Sequence, residues 1–225
     1  MKFDKKNILC LVLLPVVLLT GCATESSRVV AVNKTQSYSS NYQGVKSPIA
    51  IGKFENRSNY QNGLFSDGVD RLGNQTKTIL ISHLQQTGRF TVLDRSNMQE
   101  LKNESTISAK NQSLIGARYI ITGNITEFGR KEVGDNQLWG ILGRGKTQVA
   151  YAKVIINVVD VKTSAVVYTA PGAGEYSLSN REIIGFGGKA SYDATLNDKV
   201  IDLAINEAVS DLVSGIESGA WSPVK

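Results

Sequence analysis

Two rhythms of hydrophobic and polar positions run through most of this chain. From Val149 to Val159 the period is two. Ala150, Ala152, Val154, Ile156 and Val158 make one wholly apolar face, while Lys153 and Asn157 point the other way. That pattern predicts the strongest strand of the chain. Weaker runs of the same kind predict strands at Ile49 to Phe54, Phe90 to Leu93 and Ala117 to Phe128. Val161-Lys162-Thr163-Ser164 turns the strong strand back into Ala165 to Tyr168, giving an antiparallel pair. The second rhythm is helical. Val69, Leu72, Ile79, Leu80 and Leu84 recur at helix spacing up to Gly88, a residue suited to the position after a helix end. Ser96-Asn97-Met98-Gln99 fits a capping box for a short helix through about Glu104. From near Asn197 to Gly215, Leu196, Val200, Leu203, Val209, Leu212 and Ile216 share one side of a helix. Together these elements predict an α+β domain over residues 47–225, a three- or four-stranded sheet with helices packed against it.

Two stretches, residues 129–148 and 172–194, are read as β-hairpin inserts that interrupt the strands; both are rich in glycine and aromatics. In the second, Tyr176, Leu178, Ile184, Phe186, Ala190 and Tyr192 share one parity, and Glu175, Ser177, Ser179, Lys189 and Ser191 the other. A hairpin between lipid and water shows that alternation, with Leu178, Ile184 and Phe186 toward lipid. A soluble hairpin with one face on its own domain shows it equally. In the first insert the flanking charges Lys131, Glu132, Asp135 and Arg144 break the alternation around Leu138-Trp139-Gly140-Ile141-Leu142.

Ahead of the domain stands a positive start, Lys2, Lys5 and Lys6, and an apolar run from Ile8 to Leu19. The run is short for a membrane span and right for a secretory signal over residues 1–21. Leu19-Thr20-Gly21-Cys22 resembles the bacterial lipobox, which implies cleavage before Cys22 and acylation of that residue, palmitate included. Several acyl chains on one residue anchor a protein stably. Ala23, in place of an aspartate that retains such proteins in the inner membrane, implies the outer membrane, with the domain facing the periplasm. Residues 22–46, rich in Ser, Asn, Thr and Gln, read as a lipidated tether.

Composition then removes whole classes of chemistry. The leader takes away three lysines and one aspartate, so the net charge falls from +5 to +3, spread along the chain with no nucleic-acid footprint. Cys10 leaves with the leader and Cys22 carries lipid, so no intrachain disulfide is expected. His83 is the single histidine, which leaves no metal cluster and no His-based catalytic triad. It sits beside an apolar stripe and reads as a boundary residue. Gly140 to Thr147 spells the P-loop string, yet the segment after it alternates as a strand. Phosphate cradling needs a helix to open there, so no nucleotide site is read. No cofactor is implied, and no constellation supports an enzyme.

Taken in order behind the lipobox, several segments resemble the CsgG family, outer-membrane lipoproteins of curli secretion. They are Gly88-Arg89-Phe90-Thr91-Val92-Leu93-Asp94-Arg95, Gly116 to Ile125, Val158 to Thr163 and the closing Gly219-Ala220-Trp221. The resemblance implies an oligomeric channel that passes unfolded polypeptide by diffusion, without nucleotide. It implies that the two inserts become transmembrane strands of a shared β-barrel, and that the loop after the first strand constricts the pore. Tyr60, Asn62 and Phe65 are the candidate constriction residues by position and type, although their spacing departs from the family pattern. The inserts are several residues shorter than those of the curli channel. Related lipoproteins of similar fold are periplasmic modules that activate cell-wall synthases by contact, and this remains the alternative. Expected partners are the outer membrane, further copies of the chain, and a secreted polypeptide or accessory lipoproteins.

Overall fold

The apolar face of the Val149 strand does form the floor of the core. Ala150, Ala152, Val154, Ile156 and Val158 are all buried in the computed structural model, which describes residues 42–60, 69–136, 144–182 and 196–223. The elements run β1 (Ser47–Asn56), α1 (Arg71–Gln86), β2 (Phe90–Leu93), α2 (Met98–Ile107), β3 (Tyr119–Asn136), β4 (Arg144–Asp160), β5 (Val166–Glu182) and α3 (Leu196–Glu217). Among the described residues the sheet has five strands, in the order β2-β1-β3-β4-β5, not three or four. The short β2 joins as an edge because its parallel pairing with β1 lets Phe90 become fully buried. β1 also pairs in parallel with β3, whereas β3–β4 and β4–β5 are antiparallel.

The stretches expected as inserts do not interrupt the strands. β3 continues past Phe128 to Asn136, and β4 begins at Arg144, so residues 129–136 and 144–148 extend one ladder from Tyr119↔Asp160 to Asn136↔Arg144. β5 likewise passes Tyr168 and runs to Glu182 in register with β4. Pro171 is tolerated because β5 is an edge. Two glycines of the second stretch make room for a helix. A Cβ on Gly172 would stand 2.6 Å from Ala208 N, and one on Gly174 would stand 2.7 Å from Val200 O. They let the backbone of α3 lie directly on β5.

Helix ends follow the side chains available to close them. Asp70 caps α1 by accepting from Gly73 N–H at 2.7 Å, leaving Val69 outside the helix and half exposed. Gly88 takes φ +69° at the other end, the left-handed conformation its position predicted. The capping box at Ser96 does not form. Asp94 accepts from Ser96 N–H (2.9 Å) and Asn97 N–H (3.2 Å), so Asn97 becomes the N-cap and α2 runs on to Ile107. None of the α2 residues is buried. α3 buries a wider face than the expected stripe, with Ile201, Ala204, Ile205, Ala208 and Val213 inside and Leu203 half-buried. His83 is not at a boundary: it is 1% exposed, and its Nε2 lies 2.8 Å from Asp202 Oδ1, tying α1 to α3.

Candidate functional site

The loop after β1 leaves and returns through one clamp. Asn56 N–H donates to Asp70 Oδ2 at 2.6 Å, while Asp70 Oδ1 caps α1. The Asn56 side chain donates to Tyr60 O at 2.9 Å and accepts from Ser58 Oγ at 2.6 Å. Arg57 N–H reaches Ile125 O at 2.9 Å. These bonds fold the first residues of the loop back onto the sheet, where Tyr60 stands 4.6 Å from the Phe128 ring at 52° and packs against the core. Of the three constriction candidates, Tyr60 lies at the loop's root, half-buried against Phe128, and Asn62 and Phe65 lie outside the described residues. Asn56 and Asp70 were not singled out by sequence. An Asx residue at a strand end and an acid three residues before a helical glycine were the available signals.

The second candidate is the ribbon of β3, β4 and β5. Contacts between α3 and β5 run from Gly215 against Tyr168 to Lys199, whose ammonium lies 4.9 Å from the Tyr176 ring. β5 itself continues to Glu182, paired throughout with β4, which is paired with β3. The ribbon therefore outruns the helix that covers its lower part. Glu127 and Lys153 face each other across β3–β4 at 2.9 Å on the side away from α3, an exposed pair of small energetic weight. Leu178 lies on the parity of Tyr176 and packs against the core cluster. That is the arrangement of a strand resting on its own domain. Ile184 and Phe186, and Cys22 with the rest of residues 1–41, lie outside the described residues.

In the P-loop string, Arg144 to Thr147 are the first residues of β4 rather than a turn into a helix, as the alternation predicted. Among the described residues no group of three His, Cys, Asp or Glu side chains could hold a metal ion. Among them too, no helix is long and apolar enough to cross a membrane.

The segments that carried the family resemblance converge at the opposite end of the sheet. Trp221 stacks on Phe90 (6.4 Å, 10°) and Tyr168 (6.0 Å, 25°) and meets Tyr119 edge-on (5.9 Å, 86°). Its indole N–H donates to Leu212 O at 3.1 Å. Arg89 pairs with Glu217, and Ser47 Oγ donates to Pro223 O at 3.0 Å. Asp160 closes the β4–β5 turn by accepting from Lys162 N–H and Thr163 N–H, both at 2.9 Å, with Ser164 at φ +58°. The Thr163 backbone N–H is the main influence holding the Asp160 carboxyl below its ordinary range, with the Thr163 hydroxyl, Lys162 N–H and Arg118 helping. These shared motifs are folding devices.

A family model described as curli production assembly/transport component CsgG matches residues 30–224. A Neisseria meningitidis serogroup B protein provisionally named a lipoprotein is 64% identical over 205 residues, covering 91% of this chain and 92% of that one. Among solved structures, a PelC dodecamer from Paraburkholderia phytofirmans is 12% identical, covering 81% of this chain and 94% of that one at a TM-score of 0.36. The LpoB C-terminal domain from Salmonella enterica is 16% identical, covering 58% and 85% at a TM-score of 0.31.

Proposed function

Because this chain belongs to the CsgG family, we propose that it is a lipid-anchored outer-membrane protein whose copies assemble into a diffusion channel for unfolded polypeptide. The observation that carries the reading is the ribbon. Strands of 18, 17 and 17 residues stand side by side, each far longer than the roughly 5–6 residues of an ordinary strand. A tilted membrane-crossing strand needs about 9–11 residues. Up to Leu178 the ribbon rests on α3 and the core; past it residues 179–182 of β5 and 144–147 of β4 run on, the start of such a crossing rather than its full length. Transport by diffusion asks for no nucleotide, metal or catalytic residue.

The anchor is part of the proposal. Acylation at Cys22 would hold each copy at the membrane while residues 23–46 set the distance to the domain. Metabolic labelling with a palmitate analogue should mark the wild type and leave Cys22→Ala unmarked; equal labelling of both would remove the anchor. Electron microscopy of the detergent-extracted protein tests the assembly, and closed rings are expected.

A second reading has one observation in its favour. Leu178 and Tyr176 pack against the core of their own domain, as a periplasmic interaction module without a pore would require. Monomers or dimers in the same micrographs would favour it.

A further inference from the structure

The sheet ends on one side at β2, and among the described residues no strand lies beyond it. Ser47 N–H donates to Arg89 O at 3.0 Å, so odd-numbered residues of this segment turn their backbone polar groups toward β1. Phe90 and Val92 therefore turn theirs outward. The outward Val92 N–H is met by the Gln85 side-chain oxygen at 3.4 Å, longer than a usual N–H···O bond. Gln85 thus caps an edge that a strand would satisfy better.

Beside this edge, between β2 and the outer stripe of α1, lies a groove of about 620 Å³. Its size is that of a ligand site, roughly 300–1,000 Å³. Ile81, Val92 and Leu93 supply apolar lining, and Ile81 is 36% exposed there. Lys77, which donates to Ser96 Oγ at 3.3 Å, and Arg95, which donates to Ile115 O at 2.5 Å, supply two cations against one acid, Asp94, whose oxygens are engaged by Asn97 and Ser96. The groove is positive on balance. An edge strand flanking a helix, with side-chain room between them, is the geometry to which an extended peptide adds as a further strand.

We propose that this groove binds an extended polypeptide segment that pairs with the outer edge of β2. The segment replaces Gln85 at Val92 N–H, sets an apolar side chain against Ile81, and sets a carboxylate against Lys77 and Arg95. The site is separate from the ribbon and does not depend on the channel reading.

The test is a selection of phage-displayed random peptides on the full lipidated chain in detergent, with selected peptides then measured by fluorescence anisotropy. Selected sequences should pair an acidic residue with apolar ones. Ile81→Asn and Lys77→Gln should each weaken binding about tenfold, one decade of affinity. Gln85→Ala should tighten it, and the fold of each variant is checked by circular dichroism. The proposal is overturned if no peptide is enriched, or if Ile81→Asn and Gln85→Ala bind as the wild type does. It is also overturned if Ile81→Asn changes the sedimentation of the assembly instead, for then a second copy holds the edge.

Discussion

Single residues decide how tightly the helices seat. Gly172 has no room for a Cβ, because the atoms it would meet are helix backbone that cannot swing aside. Gly172→Val should therefore cost about 1–3 kcal/mol, the usual range for overpacking a filled core. A lowered melting temperature with an unchanged far-ultraviolet spectrum is the expected result. Trp221→Ala removes the ring shared by Phe90, Tyr119 and Tyr168 and should cost about 3–5 kcal/mol. Asp160 makes a pH prediction. Its carboxyl is held below the ordinary value, so the turn's stabilisation is full above the unfolded value of about 3.9 and is lost as pH falls through the folded one. The melting-temperature gap between wild type and Asp160→Ala should be constant near neutrality and close in acid. A gap that persists unchanged into strong acid would mean that the bonds to Lys162 and Thr163 do not carry the turn. Of these residues, Trp221 and Asp160 were visible in sequence as members of ordered motifs, but not their function in folding. Gly172 and Gly174 were read only as part of a glycine-rich hairpin, because a glycine under a helix and a glycine in an open hairpin are the same letter. The difference lies in α3, some thirty residues further on.

Elements were legible in proportion to how much their own pattern had to do with burial. β4 was plain because five alternate residues all face the core. α2 was placed with a wrong cap, since Asp94 takes the Ser96 N–H that a capping box would have given to Gln99. The lengths of β3 and β5 were missed because their upper parts lack a fully apolar face. The joint between α1 and α3 was invisible in sequence: His83 and Asp202 stand 119 positions apart. Asp202→Ala would take the half-buried carboxylate from the buried His83 and should destabilise the fold by about 1–3 kcal/mol, the range for a buried polar group losing a bond. Chemical denaturation should show the loss as a lower midpoint with an unchanged slope. An unaltered midpoint would mean that the pair is incidental.

At the scale of the whole molecule, one face of the sheet carries α1 and α3 over a continuous core, and the ribbon reaches beyond it. The α+β class and the family were both legible, the family through ordered motifs that the fold gathers around Trp221. All five strands were read as runs, Phe90 to Leu93 among them, but the sheet was counted one or two short, because a run of four residues does not show that it joins the sheet until its neighbour is known. The central claim is that the far end of the ribbon crosses the outer membrane. Cys22 is consumed by lipid in the proposed mature protein, so a single introduced cysteine would be its one free thiol. Cysteines placed one at a time at positions 137–143 and 180–187 are probed on intact cells with a membrane-impermeant maleimide. Labelling of at least one position in each window on intact cells is the predicted result. Labelling that begins at every position only after the outer membrane is opened would put the ribbon in the periplasm and contradict the channel.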